Sequence, residues 1–155
     1  MAFCFGDGTG TPCPCGNASA PGAQTGCLSS LGVGGRLVAS GTPLISADTL
    51  VLNGTQMPNS SALYFQGTAN VAGGLGSVFG DGLRCAGGSI LRLGTKNNTS
   101  GASQYPVGAD PSVSVRGAVA NPGSRTYQIW YRNAAAFCTT STFNLRNGVV
   151  VIWSP

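Results

Sequence analysis

The sequence has no histidine and no glutamate. Its only lysine is Lys96, and its only acids are Asp7, Asp48, Asp81 and Asp110. Charged residues make up 8% of the chain, where ordinary soluble domains carry about 25%. Each shortage excludes a class of chemistry. Without histidine, a serine or cysteine nucleophile has no ordinary general base. A zinc site would need thiolates alone, and Cys13-Pro14-Cys15 leaves one residue between its thiols where zinc sites use two to four. Without glutamate, a glycosidase carboxylate pair would have to come from aspartates. Most of these sit in turn-forming settings, Gly-Asp-Gly for Asp7 and Asp81 and Ala-Asp-Pro for Asp110, where the side chain caps a turn. Asp7 with Asp81 is the one carboxylate pair to look for in space. The same loops are too poor in carboxylates for an EF-hand calcium site. The sequence predicts no catalytic residues, no metal site and no cofactor.

Long apolar runs are also missing, so no segment is expected to span a membrane as a helix. Residues after Met1 show neither a basic n-region nor an apolar h-region of a leader. The net charge is +4, but Arg36, Arg84, Arg92, Lys96, Arg116, Arg125, Arg132 and Arg146 are spread along the chain. A nucleic-acid reader clusters its bases on one stripe. These are expected to be solvated or hydrogen-bonded strand residues, with no nucleic-acid partner.

Six cysteines are present, Cys4, Cys13, Cys15, Cys27, Cys85 and Cys138. An even number in a Gly/Asn/Thr-rich chain predicts a disulfide framework and an oxidising, extracellular location. Cys13 and Cys15 point to opposite sides of an extended Cys-Pro-Cys segment and should not pair together. The expected pattern is Cys85–Cys138 between strands, with two bridges among Cys4, Cys13, Cys15 and Cys27.

The length predicts a single domain over 1–155. Residues 1–32 are a Cys/Gly/Pro-rich head, and 33–155 are a body of short strands separated by turns. Strands are expected at 36–39, 49–52, 62–68, 89–93, 113–117, 126–132, 142–145 and 149–153. Within 126–132, Tyr127, Ile129 and Tyr131 share one face. Asn147-Gly148 between two apolar runs signals a hairpin. Phe5-Gly6-Asp7-Gly8 recurs as Phe79-Gly80-Asp81-Gly82 and reads as one turn used twice. The fold class expected is an all-β, disulfide-stabilised antiparallel sandwich of immunoglobulin-like or Greek-key type.

The chain ends carry the strongest functional signal. Val149–Trp153 is apolar on both faces and has to be covered or paired. Phe3, Cys4 and Phe5 form a candidate assembly strand that could add to a neighbouring subunit. This predicts a non-enzymatic structural module that self-associates into a surface fibre. The alternative is a carbohydrate-binding or adhesion module, for which Trp130, Tyr131, Tyr64, Tyr105 and Trp153 supply rings. Asn17, Asn53, Asn59, Asn97 and Asn98 lie in Asn-x-Ser/Thr sequons and are candidate glycosylation sites.

Several motifs together resemble an uncharacterised cysteine-containing β-domain of secreted proteins of environmental bacteria. They are Phe3-Cys-Phe-Gly-Asp-Gly, Cys13-Pro-Cys-Gly-Asn, Phe79-Gly-Asp-Gly-Leu-Arg-Cys-Ala-Gly-Gly, Tyr127-Gln-Ile-Trp-Tyr-Arg-Asn, Phe137-Cys and Phe143-Asn-Leu-Arg-Asn-Gly. The resemblance implies secretion and a disulfide framework, and it implies no activity.

Overall fold

The computed structural model describes residues 1–155. The chain is all-β, antiparallel and closed by three disulfides. Its strands are β1 (Ala2–Phe3), β2 (Arg36–Ser40), β3 (Val51–Thr55), β4 (Ser61–Gly67), β5 (Ala69–Asn70), β6 (Ser77–Phe79) and β7 (Gly82–Arg84), followed by β8 (Ala86–Gly87), β9 (Leu91–Asn97) and β10 (Ser103–Tyr105). One helical turn, α1 (Val113–Arg116), precedes β11 (Gly123–Arg132), β12 (Phe143–Leu145) and β13 (Gly148–Trp153). The main sheet runs β1-β13-β11-β4-β9, with β12 also paired to β11. A second sheet runs β10-β3-β2, and two hairpin-like pairs, β5-β8 and β6-β7, stand outside both.

Alternation along the strands decides what is buried. Tyr127, Ile129 and Tyr131 of β11 share one core with Ala62 and Tyr64 of β4, Leu93 of β9, and Leu37 and Leu52 of the second sheet. Burying each Leu or Ile contributes roughly 1.5–3 kcal/mol. Three of the buried polar side chains are paired in series. Trp153 Nε1 donates to Tyr127 Oη at 2.9 Å, Tyr127 Oη donates to Gln66 Oε1 at 2.8 Å, and Gln66 Nε2 donates to the Gly117 carbonyl at 2.8 Å.

The head lies directly on the body's backbone. A Cβ on Gly26 would stand 2.4 Å from the Leu145 carbonyl oxygen, and one on Gly6 would stand 2.2 Å from the Cys27 nitrogen within the head, so only glycine fits at either place. Gly6 N–H donates to the Thr25 carbonyl and its carbonyl accepts from Ser19 N–H. All six cysteines are paired, but the expected pattern is corrected. The bridges are Cys4–Cys85, Cys13–Cys27 and Cys15–Cys138. Cys13 and Cys15 do not pair with each other; the Cys85–Cys138 bridge does not form. The reason is the pairing of β1 with β13, which carries Cys4 to Cys85. Only one bridge stays within the head, and two tie it to the body. Cys4, Cys13, Cys27 and Cys85 bury themselves with Leu83 as a small second core.

Two other expectations are corrected. Residues 113–117 alternate but form a helical turn rather than a strand. The Ser112 hydroxyl caps Val115 N–H, and Asp48 Oδ2 accepts from Ser114 N–H at 2.7 Å. The local cap and the long-range bond from Asp48 together outweigh a five-residue alternation. Asn147-Gly148 is not a hairpin: β12 and β13 both pair with β11, as one strand interrupted by a bulge. The Asn147 amide is fully buried and clasps the main chain of Leu37, its Oδ1 accepting from Leu37 N–H at 2.8 Å and its Nδ2 donating to the Leu37 carbonyl at 3.1 Å.

Phe3, Cys4 and Phe5 are used inside their own chain. Ala2 and Phe3 sit opposite Val149 and Gly148, the Met1 amino group donates to the Val150 carbonyl at 2.6 Å, and Cys4 is bridged. Strand donation to a neighbour would have to break this edge first. Val149–Trp153 pairs with β11 along its whole length, whereas β1 covers only the start of its other edge, at Gly148 and Val149. The repeated Phe-Gly-Asp-Gly segment takes two shapes. Gly80-Asp81 turns the tight β6-β7 pair, whereas Asp7 folds back on Thr9 in an irregular bend.

Candidate functional site

The outer face of the main sheet, opposite the core, is not bare. Gln128 lies on it between Ile129 and Tyr127 and is fully buried. Its Oε1 accepts from Cys85 N–H at 2.9 Å and Ala86 N–H at 3.2 Å, and its Nε2 donates to the carbonyls of Leu83 at 2.8 Å and Arg146 at 2.6 Å. All four bonding directions of the amide are used. This one side chain anchors β7 and β8 against the sheet, and the β6-β7 pair stands up beside it as a wall.

Between that wall and β9 lies an open groove of about 730 Å³, in the size range of ligand sites. Its floor is made by alternate residues of neighbouring strands: Ser61, Leu63 and Phe65 of β4, Trp130 of β11 and Leu145 of β12. Phe79 and Arg84 form the wall, and Ile90, Arg92 and Thr95 the opposite rim. Trp130, Phe143 and Phe79 run as a chain of tilted rings, with centroids 5.3 Å and 4.9 Å apart. Phe79 is 45% exposed, unusual for a ring that a core has room to accept.

The groove is cationic. Arg84 is held by its Nε, which donates to the Ala86 carbonyl at 3.1 Å. Arg92 is exposed on its strand. No carboxylate lines the groove, and the chain's single ion pair is Lys96–Asp110, at 2.5 Å. Asp7 binds the Thr9 hydroxyl and N–H, which hold its carboxyl below the usual range. Asp48 accepts from Leu50 and Ser114, and Asp81 is buried against the N–H and hydroxyl of Thr139. Lys96 likewise holds the Asp110 carboxyl low. Each aspartate therefore fastens a loop, and no hydrogen bond joins Asp7 to Asp81. No three His, Cys, Asp or Glu side chains converge.

Of the five rings considered for sugar stacking, Tyr64, Tyr105, Tyr131 and Trp153 are core residues, and only Trp130 reaches the groove. Phe79 and Phe143 were missed. The two-residue Gly80-Asp81 turn, with Gly80 at φ 60°, was the local signal that a hairpin presents Phe79. Among the sequons, Asn17 and Asn98 are buried, with Nδ2 donating to Leu28 and Asp81 carbonyls and to the Pro58 carbonyl. They are corrected from glycan acceptors to internal clasps. Asn53 is half-buried, with Nδ2 on Ser40 Oγ and the Val51 carbonyl. Asn59 and Asn97 are exposed.

Arg146 departs most from the expectation of solvated bases. It is 1% exposed, and its three guanidinium nitrogens have no hydrogen-bond partner in the protein. Burial pushes its pKa down to about 9, against the opposing pull of Tyr131 and Tyr64.

No family model, curated protein or solved structure matches this chain.

Proposed function

We propose that this protein is a non-catalytic extracellular adhesion module that holds a polysaccharide on the outer face of its main sheet. The observation that carries this is the pair of rings Trp130 and Phe79, each packed against Phe143, lining an open groove beside two arginines. Pyranose rings stack their C–H faces on aromatic rings while polar side chains at the rim take hydroxyls. Three bridges, two of them binding the head to the body, suit an oxidising environment. A glycan array tests the proposal. Binding to at least one polysaccharide, lost in Trp130→Ala with an unchanged circular dichroism spectrum, is the expected result. No binding across acidic and neutral glycans would end it.

Self-assembly is a second reading, favoured by β9, the outermost strand on its side of the main sheet. An outer strand offers main-chain groups to a second copy. Sizing chromatography and electron microscopy at high concentration decide it: filaments support it, and persistent monomers reject it.

A further inference from the structure

We infer that the groove selects polyuronates, chains whose sugar rings carry carboxylates, over neutral polysaccharides. This rests on the glycan-binding reading and adds the substrate class. An aromatic floor alone would accept any pyranose with a flat apolar face. The rims add charge of one sign only. Arg84 and Arg92 face the groove from opposite sides, β7 and β9, with Trp130 and Phe65 between them. Neither arginine has an acidic partner, and all four aspartates are committed to hydrogen bonds or an ion pair elsewhere. In a chain with so few charges, two unpaired guanidinium groups on one groove are a concentrated field.

The chemistry of the pair fits a repeating carboxylate. A guanidinium presents a planar fork that binds a carboxylate through two parallel N–H donors. Fixing Arg84 through its Nε leaves both terminal nitrogens free to turn toward the groove. A sugar ring on Trp130 then projects its C5 carboxylate sideways toward a rim. Successive units of a polyuronate extend from one rim to the other. A single-stranded nucleic acid also offers rings and anions. It would need a basic track longer than two side chains, and the other bases lie outside the groove.

Isothermal titration calorimetry on the intact, oxidised protein tests this with an alginate oligosaccharide, the same oligosaccharide after carboxyl reduction, and an oligo-dT of similar length. The alginate is expected to bind at least tenfold more tightly than its reduced form. Arg92→Gln, an exposed change, and Arg84→Gln should each weaken alginate binding by roughly tenfold or more and flatten its salt dependence. Arg36→Gln on the second sheet should leave it unchanged. Equal affinity for both oligosaccharides, or Arg92→Gln without effect, would overturn the acidic preference while leaving glycan binding intact. Tighter binding of oligo-dT would overturn it in favour of nucleic acid. Failure of all three ligands overturns the preference, and the neutral glycans of the array then decide glycan binding itself.

Discussion

Replacing Gln128 by glutamate changes one atom in a fully bonded amide and should make stability depend steeply on pH. The new carboxyl keeps an oxygen for Cys85 N–H and Ala86 N–H. Its second oxygen takes the place of Nε2 and meets the carbonyls of Leu83 and Arg146, 2.8 and 2.6 Å away. Ionised, it opposes two acceptors in a fully buried setting. Protonated, it donates to one of them and loses the other bond, at about 1 kcal/mol. The folded protein therefore keeps the proton, and the folded pKa rises above the unfolded value of about 4.3. Stability is retained below that value and falls as pH rises toward the folded pKa. If the group stays protonated at pH 7, holding the proton costs about 1.36 kcal/mol for each unit above 4.3, roughly 3.7 kcal/mol. With the lost bond, the deficit against the native protein is about 5 kcal/mol at pH 7 and about 1 kcal/mol at pH 3.5. Guanidinium unfolding of both proteins, with disulfides intact, at pH 3.5, 5 and 7 measures it. A deficit that does not change with pH would show that Gln128 does not hold β7 and β8 as described.

Mild reduction followed by alkylation and peptide mapping should label Cys15 and Cys138 first, since Cys15 is exposed and the other two bridges are buried; early labelling of Cys27 or Cys85 would contradict the packing. Gly148→Ala would place a Cβ 2.5 Å from the Phe3 ring and 2.9 Å from Cys85 Cβ, so denaturant unfolding should show a loss of about 1–3 kcal/mol, and an unchanged midpoint would refute the β1 contact. Burial raises Tyr64, Tyr105 and Tyr127 above their ordinary value and pushes Tyr131 up to about 12. Their contribution is present below about pH 10 and is lost above it, while Arg146, lowered to about 9, works in the opposite sense. Absorbance at 295 nm should therefore show phenolate forming together with unfolding, and a smooth titration at pH 10 by folded protein would count against the buried phenols.

The strands were legible where alternation was long. Residues 126–132 separate Tyr127, Ile129 and Tyr131 from Gln128 and Trp130, and the structure puts those two sets on opposite faces of the main sheet. Placing Trp130 outside the core was therefore within reach of the pattern. The platform was not, because Phe79 and Phe143 come from segments 64 residues apart in the numbering and meet only when β6-β7 folds over the sheet. Cysteine pairing was illegible for the same reason. Six cysteines allow 15 pairings, and the choice follows from β1 pairing with β13 across almost the whole chain. Asn147 misled because a buried amide clasping Leu37 and a hairpin turn both call for Asn-Gly. Arg146 carries no local mark of burial, and nothing in its neighbours separates it from Arg132.

The Cys15–Cys138 bridge also sets what the chain can do under tension. When the protein is pulled by its two ends, force follows the shortest covalent route, along residues 1–15, across the bridge, and along residues 138–155. At about 3.5 Å per residue, that route extends to roughly 110 Å, where the unbridged chain would reach about 540 Å. Nearly all of the core strands, including both rims of the groove, lie inside the shielded loop between residues 15 and 138. Shear applied at the termini can strip β1, β12 and β13 from the sheet, and Phe143 and Leu145 of β12 lie on that loaded route, so tension reaches the groove floor directly. The oxidised module is a short tether whose groove rims are shielded from stretching and whose floor is not.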